Sequence, residues 1–226
     1  MGFKKHIPNL LTCCNLVCGS VGIVQVFNNE LHYAAYLIWA ALIFDFLDGF
    51  VARLLKVHSP MGKELDSLAD MVTFGLLPAA ICFQILNNLT PLIWLPYVGF
   101  LITIFSALRL AKFNIDERQA DSFIGLPTPA NTLFISSLIF VDQLWLTLPV
   151  LLSLIVVFSC LLVAPLEMLA LKFKHFGWRG NEVRYIFIGI SLVSILLFWQ
   201  LALPVIIIAY ICLSIIKKVF LSKNSI

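Results

Sequence analysis

The sequence predicts an all-α polytopic membrane protein, a bundle of about eight transmembrane helices with both termini cytoplasmic. Three observations carry this reading. Of 226 residues, 61% are hydrophobic and 12% charged, against about half and about a quarter in an ordinary soluble domain. The mean hydropathy is +1.01, and apolar stretches of roughly 20 residues, each able to cross a ~30 Å hydrocarbon layer, recur along the whole chain. Basic residues recur at alternate connections between those stretches, as cytoplasmic loops require.

The expected spans are roughly 9–28, 32–56, 62–86, 92–113, 127–145, 147–171, 184–200 and 203–220. Turn and charge signals bound them, among them Asn28-Asn29, Pro60, Asn87-Asn88 and Pro204. The first follows Lys4, Lys5 and His6 like a signal peptide, but Asn15 interrupts it and no small-residue cleavage site closes it, so it is expected to be retained. The last two hairpins leave only short turns at Pro149 and Pro204, and six or seven helices are the alternatives.

Lys4 and Lys5 precede span 1, Arg53, Lys56 and Lys63 surround the second connection, and Arg109, Lys112 and Arg118 the fourth. Lys172, Lys174, Arg179 and Arg184 follow at the sixth, and Lys217, Lys218 and Lys223 near the end. The opposite connections, around Glu30, Asn87, Asp142 and Gln200, carry no lysine or arginine. That asymmetry favours an even number of spans. Trp94, Trp145, Trp178 and Trp199 fall near span ends, where interfacial anchors belong.

Composition also excludes several functions. A net charge of +3 is too small to point to nucleic acid. The six cysteines, Cys13, Cys14, Cys18, Cys82, Cys160 and Cys212, show no paired metal-ligand spacing, which argues against zinc and disulfides. No internal repeat or linker divides the chain, so 1–226 reads as one membrane domain, with a chemical hairpin over 32–86 and a second polar segment over 109–131.

Residues 44–74 read FDFLDGFVARLLKVHSPMGKELDSLADMVTF. A carboxylate at bilayer depth is expensive and nearly always faces a cavity, a partner or an ion. Asp45 and Asp48 are three apart and Asp66 and Asp70 four apart, so each pair shares one helix face. With a turn near Val57 to Pro60, both pairs lie at nearly the same depth, ~10–15 Å from the cytoplasmic end at ~1.5 Å per residue. Four anions there repel or take up protons unless a cation holds them, and hard oxygen ligands suit two Mg²⁺ or Mn²⁺ ions, an arrangement able to clamp a phosphoryl displacement. Gly49, Ala52 and Gly62 leave the backbone open to a flat ligand, and Arg53 offers a forked donor to a pyrophosphate.

Asp45, two residues, Asp48-Gly49, two residues, Ala52-Arg53, eight residues, Gly62, three residues, Asp66, three residues, Asp70 resembles the whole signature of the CDP-alcohol phosphotransferase family, with no departure. The resemblance implies that the four aspartates bind two divalent ions against the CDP pyrophosphate and that Asp70 is the base for the acceptor hydroxyl. It also implies nucleotide contacts at Gly49, Arg53 and Ser59, and at Asn9 and Thr12 in PNLLTCCN. For Asn9 and Thr12 an N-terminal cap is the plainer reading. Relatives of this kind are commonly homodimers.

Arg109-Leu-Ala-Lys112-Phe-Asn114 and the FIGLPTPAN run 123–131 resemble segments of the phosphatidylserine synthase branch, with Lys112 in place of arginine and Asn131 in place of alanine. The branch implies L-serine as the acceptor for the phosphatidyl group of CDP-diacylglycerol, with Arg109, Lys112 and Asn114 around its carboxylate. The same charges also serve as ordinary positive-inside flanks. Gly125, Pro127 and Pro129 also serve simply as turn formers. Two rivals stand beside this reading. Glycerol 3-phosphate or an inositol phosphate would need a denser cationic pocket, and a carboxylate-based ion transporter would leave Gly49, Ala52, Arg53 and Gly62 without a role. His58 and His175 read as turn residues.

Overall fold

A computed structural model describes residues 6–57, 59–116, 123–142, 144–168, 181–198 and 201–223. Lys4, Lys5, His58, Arg118, Lys172, Lys174, His175, Trp178, Arg179, Trp199 and Gln200 lie outside the described residues, as do the side chains of Lys217, Lys218 and Lys223.

Eight helical segments follow one another among the described residues: α1 (His6–Phe27), α2 (Leu31–Leu55), α3 (Pro60–Leu89), α4 (Leu95–Ile115), α5 (Thr128–Phe140), α6 (Leu148–Val163), α7 (Glu182–Phe198) and α8 (Ala202–Lys223). The first four are long and apolar enough to cross a bilayer, and α5 and α6 are shorter apolar helices. The chain is an all-α membrane bundle. Large apolar side chains such as Phe46, Leu54, Ile104 and Leu108 stay exposed on its flanks, as a lipid-facing surface requires.

Helix α3 is the central element, with 61% of its apolar window buried against 28% for α1, α2 and α4. Its start is written locally. Ser59 is the N-cap, its Oγ accepting the Gly62 N–H at 2.9 Å, and Pro60 occupies the first turn, where a missing N–H is harmless. Helix α2 ends just before it at Lys56, which takes a left-handed conformation (φ 53°) while Val57 N–H donates to Ala52 O at 3.0 Å. Helix α1 packs along α3 through the buried stripe Thr12, Asn15, Gly19, Gly22 and Val26. Gly19 is required there, because a Cβ on it would lie 2.2 Å from Thr73 Oγ1.

Most expected spans lie within a few residues of these helices, with one clear exception. The span expected over 147–171 stops at Val163, because Pro165 cannot donate a helical bond and disfavours the helical region for the residue before it. Glu167–Met168 then pairs antiparallel with Phe123–Ile124, a two-residue ladder that an all-helical reading did not foresee. Gly125 (φ +83°) donates its N–H to Leu166 O, and a Cβ there would lie 2.3 Å from Leu162 O. Helices α7 and α8 pack against each other, and α8 packs on α5.

Candidate active site: an acidic cluster at a cavity between the first three helices

The α2–α3 turn, the first turn of α1 and the end of α4 meet at one end of the bundle. Lys63 Nζ donates to Asn114 O at 3.0 Å, and Asn114 Nδ2 to Ser67 Oγ at 2.9 Å, so α3 and α4 are tied there. Between α1, α2 and α3 opens a cavity of about 560 Å³, within the range of small-molecule sites. Asn9, Thr12, Gly49, Ala52, Arg53, Ser59 and Gly62 all line it, together with Asp48 and Asp66.

Each lining residue has a local reason for its place. A side chain at Gly49 would meet nothing within 4 Å, so this stretch of α2 presents bare backbone to the cavity. At Gly62 a Cβ would come 3.0 Å from Ser59 Oγ and 3.1 Å from Asn9 Oδ1, which keeps both polar atoms accessible. The Arg53 side chain, which also lines the cavity, folds back so that Nε donates to Gly49 O at 3.0 Å. Lys63 lines the same cavity and was not singled out from the sequence, where it read as a flanking charge.

Carboxylate oxygens of Asp45, Asp48 and Asp66 lie within 4.8 Å of one another. Thr12 Oγ1 donates to Asp48 Oδ2 at 2.5 Å, which fixes that carboxylate from α1. Asp66 Oδ1 is buried with no hydrogen-bond partner, and among the described residues no lysine or arginine makes a salt bridge with the three. Three converging anionic oxygen donors with an unsatisfied buried atom fit a hard divalent cation.

Asp70 stands apart from this trio. It lies one turn beyond Asp66, ~6 Å deeper along α3, is 8% exposed, and interacts electrostatically with the other three. Its Oδ1 accepts from Asn15 Nδ2 at 3.3 Å. Asn15 is the residue that sequence reasoning missed: it registered as an interruption of span 1, yet its position three after Thr12 places it on the same face of α1.

The second polar segment divides. Arg109 is 6% exposed, donates through Nη1 to Thr128 Oγ1 at 3.3 Å, and interacts electrostatically with Asp70. Its Nε is buried without a partner. Asn114 reaches Ser67, one residue from Asp66, whereas the Lys112 side chain is exposed on the other side of the helix end. Of the expected tryptophan anchors, Trp94 and Trp145 are exposed near helix ends.

The sequence profile described as CDP-alcohol phosphatidyltransferase matches residues 5–164. The chain is 38% identical to the CDP-diacylglycerol–serine O-phosphatidyltransferase of Bacillus subtilis (strain 168) over 129 residues, which is 55% of this chain and 70% of that protein. It is 34% identical to the protein of the same name from Helicobacter pylori (strain 26695) over 195 residues, 83% of this chain and 81% of that one. An archaetidylserine synthase from Methanothermobacter thermautotrophicus is 36% identical over 140 residues, 58% of this chain and 56% of that protein. The profile covers the acidic hairpin, the cavity and Arg109 together, and the chain belongs to the CDP-alcohol phosphatidyltransferase family.

Proposed function

We propose that this protein transfers the phosphatidyl group of CDP-diacylglycerol to L-serine, forming phosphatidylserine and CMP. The observation that carries the chemistry is the convergence of Asp45, Asp48 and Asp66 within 4.8 Å beneath a cavity walled by Gly49, Arg53 and Gly62. Serine is favoured by relatives named for that acceptor and by Arg109, a buried guanidinium with an unpartnered Nε.

In this reading the cavity receives the CDP head while the acyl chains stay in the bilayer. Asn9, Thr12, Ala52 and Ser59 pack against the nucleotide, and Arg53 faces the pyrophosphate. Asp45, Asp48, Asp66 and Asp70 would hold two divalent ions, Mg²⁺ or Mn²⁺, which would supply positive charge to neutralise the pyrophosphate and the departing CMP. Arg109 binds the serine carboxylate, Asn114 orients the amino acid, and exposed Lys112 supplies charge at the entrance rather than a contact. Asp70, with Oδ1 engaged by Asn15, takes the serine hydroxyl proton on Oδ2. The serine oxygen bonds to the lipid-side phosphorus as the bond from that phosphorus to the CMP oxygen breaks.

The whole chain acts as one membrane domain with its termini and site at the cytoplasmic face of a prokaryotic cell membrane, a reading supported by Lys56 and Lys63 at the cavity end. A homodimer is the expected assembly. The test is to purify the protein in detergent with Mg²⁺ or Mn²⁺, supply CDP-diacylglycerol, and measure CMP release with serine, glycerol 3-phosphate and an inositol phosphate. Serine-dependent release is expected. Release with a phosphorylated acceptor alone would change the acceptor, and ion flux into sealed vesicles carrying the protein, without CMP release, would replace the enzyme by a transporter.

A further inference from the structure

We propose that Thr132 and Thr103 are positioning residues for Asp70, acting through a wide turn in α3 that they hold open. This rests on the reading of Asp70 as the group facing the acceptor hydroxyl, and it adds the device that sets where that group sits.

Immediately after Asp70, residues Met71–Leu76 leave the α-helical pattern for a π-helical one, and Leu77 N–H reaches back five residues to Val72 O. Such turns are rare and recur at functional sites. The local sequence invites one, since Val72 and Thr73 are β-branched and Gly75 has no side chain, all poor helix formers. A Cβ at Gly75 would lie 3.2 Å from both Met71 Sδ and Ser106 Cβ, so α4 packs directly on the turn.

Three neighbouring helices bond to this segment. From α5, Thr132 Oγ1 lies 2.8 Å from Phe74 O and 2.9 Å from Thr128 O, and its proton bridges the two carbonyls. From α4, Thr103 Oγ1 donates to Gly75 O at 3.3 Å. Toward α1, Thr73 Oγ1 donates to Asn15 O at 3.2 Å, and Asn15 returns its amide to Asp70. The same α4 and α5 carry the acceptor side, Arg109 and Thr128, which are bonded to each other. A continuous path therefore runs from Arg109 through Thr128 and Thr132 to Phe74, four residues from Asp70.

Closing the wide turn to a regular helix removes one residue from it, a shift of ~1.5 Å along the axis and about a quarter-turn around it. A misplacement of ~1 Å at a reacting group can cost ~100-fold in rate. The plainer role for these hydroxyls is to satisfy carbonyls in an apolar interior. That role predicts lower stability and an intact turnover number, and here the two accounts part.

The experiment measures serine-dependent CMP release and Mn²⁺ binding, the latter by electron paramagnetic resonance, for the wild type, Thr132→Val, Thr132→Ser and Thr103→Val. We expect kcat to fall about tenfold in each valine variant with KM for the CDP-lipid unchanged within twofold, the Thr132→Ser variant to regain wild-type kcat, and Mn²⁺ affinity to weaken in the valine variants. Wild-type kcat and Mn²⁺ affinity in both valine variants, with only a lower melting temperature, would overturn the inference. If Thr132→Val does not fold, Thr103→Val, at a half-buried position, decides alone. A wild type that releases no CMP with any acceptor would sink the functional reading instead, and the Mn²⁺ comparison would still judge the positioning.

Discussion

Gly49 and Gly19 separate function from fold with the same substitution. Replacing a helical glycine by alanine ordinarily stabilises by about 0.5–1 kcal/mol, because the glycine chain loses more freedom on folding. At Gly49 nothing lies within 4 Å of the added methyl, so that gain is undiminished and the melting temperature holds or rises. The methyl projects into the 560 Å³ cavity beside Asp48, where the pyrophosphate is proposed to approach the backbone, and KM for the CDP-lipid is expected to rise at least tenfold. At Gly19 the methyl would sit 2.2 Å from Thr73 Oγ1 and 3.0 Å from Thr73 Cα, so α1 must move off α3. Overpacking of this kind costs about 1–3 kcal/mol and outweighs the propensity gain. Thermal unfolding in detergent and steady-state CMP release, run on both variants, are the assays. A Gly49→Ala protein with wild-type KM, or a Gly19→Ala protein as stable as the wild type, would refute the reasoning at that position.

Two further substitutions test named roles. Asp70→Asn keeps the shape and the contact with Asn15 while removing the proton acceptor, and is expected to lower turnover at least 100-fold with the fold intact; wild-type CMP release would remove Asp70 as the base. Arg109→Ala is expected to raise the serine concentration needed for half-maximal rate more than tenfold while leaving CDP-lipid KM unchanged, and an unaltered serine dependence would contradict its place in the acceptor pocket.

Much of the architecture was legible because a bilayer forces long apolar runs with their polar breaks at the ends. Where the sequence misled, the cause is local: Pro165 lies inside an apolar stretch of membrane length, and hydropathy averages over it. The pairing of the acidic helices was legible from spacing alone, since positions three and four apart share a face and the hairpin folds them together. Spacing was too coarse to separate Asp70 from the other three. Four residues of helix are ~6 Å of depth, so both members of a pair cannot meet one ion level equally, and Asp70 falls to the deeper side with Asn15. Asn15 was visible only as a polar interruption, because its partner lies 55 residues away in sequence. The wide turn after Asp70 could not be read at all, since periodicity assumes a constant rotation per residue. Lys112 and Arg109 looked equivalent as a pair of cations, yet Arg109 lies one turn further into the bundle and is buried, while Lys112, in the last turn of α4, is exposed.

The proposed transfer requires the acidic hairpin to grip divalent ions against a CDP head. Crystals or grids of the protein prepared with Mn²⁺ and CDP-diacylglycerol test it most directly, through the anomalous signal or density of manganese. Manganese bound by Asp45, Asp48 and Asp66, with the nucleotide in the cavity lined by Gly49 and Gly62, is the predicted result. Nucleotide bound elsewhere, or these carboxylates without manganese at saturating concentration, would contradict it.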